Sequence, residues 1–152
     1  MNGTYLCTKC GLIASASEVL VYQNKDKNWR LRYAVDCINK SCGGRMFECD
    51  EEMIVPIKML NDKGYDTKFC CSGHLSDRTC RGYVLFADGI NLESKPRGWY
   101  VDKKDAKLFG GTTIRYKFKE DAIDKKRQMI HRKMNALIRW ADGLENRKEE
   151  SK

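Results

Sequence analysis

The side chains with the most chemistry to offer are eight cysteines, all between positions 7 and 80. Cys7-Thr8-Lys9-Cys10-Gly11 is a CxxC with glycine behind it, the knuckle form of zinc ribbons. Cys37 and Cys42 form a second pair, with Gly43-Gly44 behind. Two knuckles held side by side can present four sulfurs tetrahedrally, each about 2.3 Å from Zn2+. Glycine after each knuckle allows a tight turn, so that backbone N–H groups can point at the thiolates. No secretion signal is legible, so a reducing cytoplasm is expected, where clustered thiols are metal ligands more often than disulfides. Cys7, Cys10, Cys37 and Cys42 are therefore expected to hold one Zn2+. A CxxC redox pair would need a thioredoxin-like βαβ context, which the flanking sequence lacks.

A second cluster is Cys70-Cys71-Ser72-Gly73-His74. Such a turn can hold a second metal ion, or offer a thiol nucleophile beside an imidazole base. It can equally be a tight turn after a buried strand, with small residues chosen for packing. Neighbouring residues on a strand point to opposite faces, so Cys70 and Cys71 make poor partners on one ion. Cys49 and Cys80 lie outside both groups, and the sequence assigns them no role.

The elements that must position these groups follow from periodicity. Glu18 to Tyr22 is β-prone, and Trp29, Leu31, Tyr33 and Val35 alternate with polar residues. That predicts a hairpin between the knuckles, closed by a short strand over Arg45 to Phe47. Asp50-Glu51-Glu52 reads as a helix start, with Met53, Ile57 and Leu60 on one face and Lys63-Gly64 as the stop. Pro56 inside that helix implies a kink or a later start. Strands are expected over Tyr65–Phe69, Tyr83–Ala87, Trp99–Val101 and Ile114–Phe118, with a turn at Asp88-Gly89, a loop over 91–98 and a short helix over Lys103–Phe109. From Asp121 to about Glu149, Ile123, Ile130, Met134, Leu137, Ala141 and Leu144 form one apolar stripe. A helix of that length would run about 40 Å. The expected fold class is α+β: a zinc ribbon over 1–49, a small mixed α/β domain over 50–119, and a long basic amphipathic helix with polar tail over 120–152.

Charge divides the chain differently. Residues 1–94 carry 12 lysines and arginines against 12 acids, whereas residues 95–152 carry 17 against nine. The whole net charge of +8 therefore sits in the Cys-free half. Hydrophobic residues make up 41% of the chain, enough for a core and against disorder. No apolar run approaches the ~18 residues of a membrane span, so no membrane partner is expected. Lys125, Lys126, Arg132, Lys133 and Arg139 with Trp140 are the candidate partner-binding residues: cations meet phosphates and aromatics stack bases. The same pattern also describes a solvated helix face or a surface for an acidic protein.

The succession Cys37-x4-Cys42-Gly-Gly, Asp50-Glu51, Pro56-Ile57, Leu60-Asn61-x-Lys63-Gly64-Tyr65-x-Thr67 and Cys70-Cys71-Ser72-Gly73-His74 resembles small proteins of Firmicutes phages and mobile elements. The resemblance covers residues 7 to about 87. In overall form, a small zinc protein with a unique tail, the chain is similar to metalloprotein type II-A anti-CRISPRs. This resemblance implies a non-enzymatic inhibitor that binds Cas9, or its complex with guide RNA, in the bacterial host cytoplasm and blocks loading of target DNA. A rival resemblance lies in Asn61…Tyr65-x-Thr67-x-x-Cys70-Cys71-Ser72-Gly73, which is similar to the Ser-Cys-Ser-Gly-Arg region of wybutosine-synthesis tRNA methyltransferases. Here His74 replaces the arginine, Cys70 replaces the first serine, and no glycine-rich cofactor loop follows a strand. That resemblance implies a tRNA-modification-like enzyme using Cys71 and His74; a plain zinc-ribbon nucleic-acid binder is the remaining alternative.

Overall fold

The computed structural model describes residues 3–23, 33–102 and 111–147. Within them the chain builds two four-stranded antiparallel sheets and three α-helices. The first sheet holds β1 (Thr4–Cys7), β2 (Ile13–Ser15), β3 (Ala34–Asp36) and β4 (Arg45–Cys49), in the order β2-β1-β4-β3. The second holds β5 (Thr67–Cys71), β6 (Thr79–Phe86), β7 (Tyr100–Asp102) and β8 (Thr113–Lys119), in the order β5-β6-β8-β7. The architecture is α+β, as expected, and both sheets are antiparallel throughout.

Each knuckle sits at the tip of its own hairpin. Cys7 and Cys10 lie between β1 and β2, and Cys37 and Cys42 between β3 and β4. Antiparallel pairing of β1 with β4 sets Cys7 opposite Met46 and so brings the two tips together. The single hairpin expected between the knuckles is not what forms. Glu18–Tyr22 lies in α1 (Ala16–Gln23), a helix. Its start is chemically specified: the Ser15 hydroxyl receives the Glu18 backbone N–H at 3.1 Å and donates to the Glu18 carboxylate at 3.2 Å. This Ser-x-x-Glu box satisfies a free donor at the helix N-terminus and outweighs the β propensity of the valines. Trp29 and Leu31 of the expected strand lie outside the described residues, as does the helix expected over 103–109.

Alternation along β1 joins the two halves. Tyr5 and Cys7 face the ribbon's own core with Val19, Val35, Cys37 and Met46. Leu6, one residue out of phase, turns to the other core with Cys49, Trp99, Tyr116 and Leu137. The ribbon therefore packs on the rest of the molecule through the back of its own sheet.

Asp50 precedes a single 3-10 turn, Glu51–Met53, and α2 follows over Ile54–Asp62. Pro56 falls in the first turn of α2, where a missing N–H costs nothing. Gly64 ends the helix at φ +91°, with its N–H on Asn61 O and the Tyr65 N–H on Leu60 O, a Schellman closure. The last helix, α3, spans Ile123–Gly143 and stops where glycine permits. Its 21 residues measure about 32 Å, shorter than the full 121–149 stretch implied. Met134, Leu137 and Ala141 of the stripe are buried, whereas Ile123 at its head is 56% exposed. The Lys63 ammonium donates to the carbonyls of Ala141, Asp142 and Leu144, closing the negative end of α3 with a cation from the end of α2. None of the helices in the described residues is long and apolar enough to cross a membrane.

Candidate functional site

The knuckles are built by local backbone bonds. In the first, Cys7 N–H donates to Leu12 O and Gly11 N–H to Cys7 O, with Gly11 at φ +80°. In the second, Cys37 N–H donates to Gly44 O and Cys42 N–H to Asn39 O. Gly44 is obligatory in this packing: a Cβ there would fall 2.7 Å from Lys9 Cβ and 3.2 Å from Cys42 Sγ.

The four sulfurs converge. Cys7 Sγ lies 3.7 Å from Cys42 Sγ, Cys10 Sγ lies 3.7 Å from Cys37 Sγ, and all four lie within 4.8 Å of one another. Sulfurs placed tetrahedrally about 2.3 Å from a central ion would be about 3.8 Å apart, so the cluster has the dimensions of a zinc site. The Cys10 N–H points at Cys7 Sγ at 3.5 Å, the contact that steadies a metal-bound thiolate. Burial acts on Cys7 to raise its pKa, but N–H groups of Cys10 and Lys9 outweigh it and the net shift is downward. Burial pushes the Cys37 thiol up to about 12 and raises Cys42 as well. A dication compensates that burial by replacing protons on the sulfurs. Four thiolates fill a tetrahedral ion completely, which is the pattern of a structural zinc and leaves no position for substrate. Among the described residues this is the one group of three or more Cys, His, Asp or Glu side chains with donor atoms that close together.

The Cys70–His74 segment is divided by its own strand. Cys70 Sγ faces Cys49 Sγ at 3.8 Å, on the side of the ribbon. Cys71 Sγ faces the other way and lies 3.7 Å from His74 Nε2. Burial raises the Cys71 pKa, against one N–H from Gly73, so the group is held as a thiol rather than an activated thiolate. His74 is exposed, and among the described residues no third group orients its ring. The rest of the motif is occupied in packing. Ser72 gives its N–H and hydroxyl to the Asp50 carboxylate at 2.8 and 3.0 Å, tying the β5–β6 turn to the end of the ribbon. Tyr116 donates its hydroxyl to the Ser72 carbonyl. Gly73, at φ +98°, and Gly82 both make room for that ring, since a Cβ would meet Tyr116 at 2.4 and 2.0 Å. Cys80, fully buried, donates its thiol to carbonyls of His74 and Asp77 and holds the turn from beneath.

The cations of α3 divide as well. Arg132 and Arg139 are exposed and share a face at i, i+7. With Arg97, Lys133 and Trp140 they line a cleft of about 690 Å3. Lys133 Nζ donates to Gly98 O at 3.0 Å, and Trp99 Nε1 returns a bond to Lys133 O at 3.1 Å, which fixes the 97–99 loop beside the helix. Trp140 packs edge-on to Phe86 and donates its indole N–H to Ser94 Oγ. Lys125 is exposed but does not line this cleft. Lys126 is 5% exposed and donates to Leu75 O at 3.0 Å, so its ammonium serves the fold rather than the surface. Arg97 joins the cleft without any periodic signal, because it comes from a loop that only the fold carries to α3.

Comparison of the chain with protein families, with curated proteins and with solved structures finds no match.

Proposed function

We propose that the chain is a zinc-stabilised, non-enzymatic binding protein whose basic cleft takes the nucleic acid of a ribonucleoprotein partner. The observation that carries this reading is the convergence of Arg97, Arg132, Lys133 and Arg139 beside Trp140 in one cleft of about 690 Å3. Cations at this density attract phosphates, and an indole at the wall offers a face to a base. The closed four-thiolate cluster supports a structural rather than catalytic role for zinc. An enzymatic reading through Cys71 and His74 draws no support from a half-buried thiol with a raised pKa beside an exposed imidazole. The likeness to type II-A anti-CRISPRs names one specific complex, Cas9 with its guide RNA, and the action would be blockade of target-DNA loading.

Two assays test the reading. Zinc-loaded protein should bind a fluorescent guide RNA, with affinity falling as salt rises. If all four cations contact phosphates, the log–log slope should be about −3 on single strands, or roughly 50-fold between 50 and 200 mM salt. Arg132→Glu with Arg139→Glu should remove most of that binding. No RNA binding at low salt would overturn the proposal. In a Cas9 cleavage assay, inhibition sensitive to the same two substitutions supports the nuclease complex as partner. RNA binding without inhibition of any Cas9 orthologue leaves a general zinc-ribbon nucleic-acid binder.

A further inference from the structure

On the other flank of α3 lies a second cleft of about 790 Å3, and its chemistry is opposite. Its floor is apolar: Ile130, Met134 and Ile138 recur at i, i+4 and i+8 along α3 and span about 12 Å. One wall is the junction from β4 into the 3-10 turn, which contributes Glu48, Asp50, Glu51 and Glu52. The lining also includes Arg127 and both histidines of the chain, His74 and His131. Four carboxylates and one guanidinium line it, on a chain whose net charge is +8. Asp50 is engaged by Ser72, whose hydroxyl also reaches Glu52 at 3.5 Å; Glu48, Glu51 and Glu52 are exposed.

We propose that this groove is a docking site for a basic amphipathic segment of a protein partner, seated as a helix with its apolar face on Ile130, Met134 and Ile138. An apolar stripe of two helical turns flanked by charge is the complement of an amphipathic helix laid in a groove. The carboxylate wall selects a cationic partner and repels nucleic acid and anionic membrane. The acids and histidines do not converge on one point, since among the described residues only the four cysteines bring three or more donors within 4.8 Å. Dispersed carboxylates suit several cations spaced along a peptide better than one metal ion. The groove is independent of the basic cleft: α3 would present a nucleic-acid face on one side and a basic-protein face on the other, sharing Asn135 between them.

The probe is a synthetic amidated peptide of about 14 residues with leucine along one helical face and lysine on the rest. A glutamate-for-lysine version and a scrambled version of equal composition serve as controls. Titrated into zinc-loaded, 15N-labelled protein, the lysine peptide should shift the amides of Ile130, Met134, Ile138, Glu51 and Glu52, and neither control should. Glu51→Lys with Glu52→Lys should weaken binding roughly tenfold or more, because two attractions become repulsions. Ile138→Asp should weaken it through the floor, and both variants should keep the parent spectrum away from the groove. Arg132→Glu with Arg139→Glu, which should remove RNA binding, should leave peptide affinity unchanged, so failure of RNA binding and failure of this site are separate results. Equal binding of the glutamate peptide, shifts that avoid α3, or indifference to the charge reversal would overturn the proposal. Self-association abolished by the same substitutions would assign the groove to a second copy and overturn it as well.

Discussion

Gly82→Ala should be among the most damaging single-methyl changes in this protein. Gly82 on β6 lies opposite Tyr116 on β8, and the phenol ring crosses the glycine to reach the Ser72 carbonyl. A Cβ at position 82 would fall 2.0 Å from Tyr116 Cε1 and 2.7 Å from its Cδ1 and Cζ. The ring has no free direction to yield. Trp99 meets it edge-on with centroids 5.0 Å apart, Phe118 stacks on it at 5.9 Å, and Tyr116 is 1% exposed. Overpacking of this kind costs about 1–3 kcal/mol. Displacing the ring also breaks the bond to Ser72 and leaves a buried carbonyl unpaired, a further loss of about 1–3 kcal/mol. The sum, roughly 2–6 kcal/mol, corresponds to a fall in Tm of roughly 4–24 °C in a protein of this size. Thermal and urea melts of zinc-saturated protein by circular dichroism measure it, and zinc content should not change. In a Tyr116→Val background the obstacle is gone, so the same Gly82→Ala step should cost less than about 1 kcal/mol, a coupling of more than about 1 kcal/mol between the sites. A Gly82→Ala protein that melts within about 0.5 kcal/mol of its parent would refute the reasoning. So would an equal cost in both backgrounds, because the loss would then not pass through Tyr116.

Cys37→Ser, or removal of zinc with a chelator, should unfold the ribbon while the second sheet holds, because structural zinc supplies folding free energy directly. Hydrogen exchange would show β1, β2, β3 and β4 losing protection with β6 and β8 retaining it; a single concerted loss across both sheets would contradict two separable cores. Bound sulfurs carry fewer protons than free thiols, so zinc affinity should fall steadily as pH falls, and a competition titration with no pH dependence would exclude thiolate ligation. Cys71→Ala and His74→Ala should each cost less than about 1 kcal/mol and leave RNA binding by the basic cleft intact, since one side chain is half-buried without an orienting network, the other is exposed, and neither lines that cleft. Loss of function with an intact fold in either variant would restore the catalytic reading.

The reach of the sequence can be followed residue by residue. The metal cluster was fully legible, because a knuckle is made by turn chemistry within five or six residues and its glycines mark the places where the chain reverses. The strands expected over Tyr65–Phe69, Tyr83–Ala87 and Ile114–Phe118 overlap β5, β6 and β8, and the stripe of α3 was legible for the same reason, a local periodicity, although the first half of β6, Thr79–Gly82, was not read. The start of α1 was present in the sequence as Ser15-x-x-Glu18 but was overshadowed by Val19 and Val21, whose β propensity depends on context. The Cys70–His74 motif could not be resolved from spacing. Whether two thiols and an imidazole form a site depends on the face each side chain takes and on what lies opposite, and Cys49, Asp50 and Tyr116 come from distant segments.

By itself, then, the sequence determined which four cysteines gather into a site that could hold a metal ion, which half carries the charge, and which segments alternate or wind, because these follow from neighbours along the chain. Only the tertiary structure decided that Lys126 is spent on Leu75 O, that Arg97 joins Arg132 and Arg139, and that Glu48, Glu51 and Glu52 line a groove beneath a helix from the basic half. Those outcomes depend on β1 pairing with β4 and on α3 packing against α2, contacts between residues separated by tens of positions. Electrostatic surfaces are sums over space, so a chain that reads as one neutral half and one basic half folds into a helix with a positive cleft on one flank and a negative groove on the other.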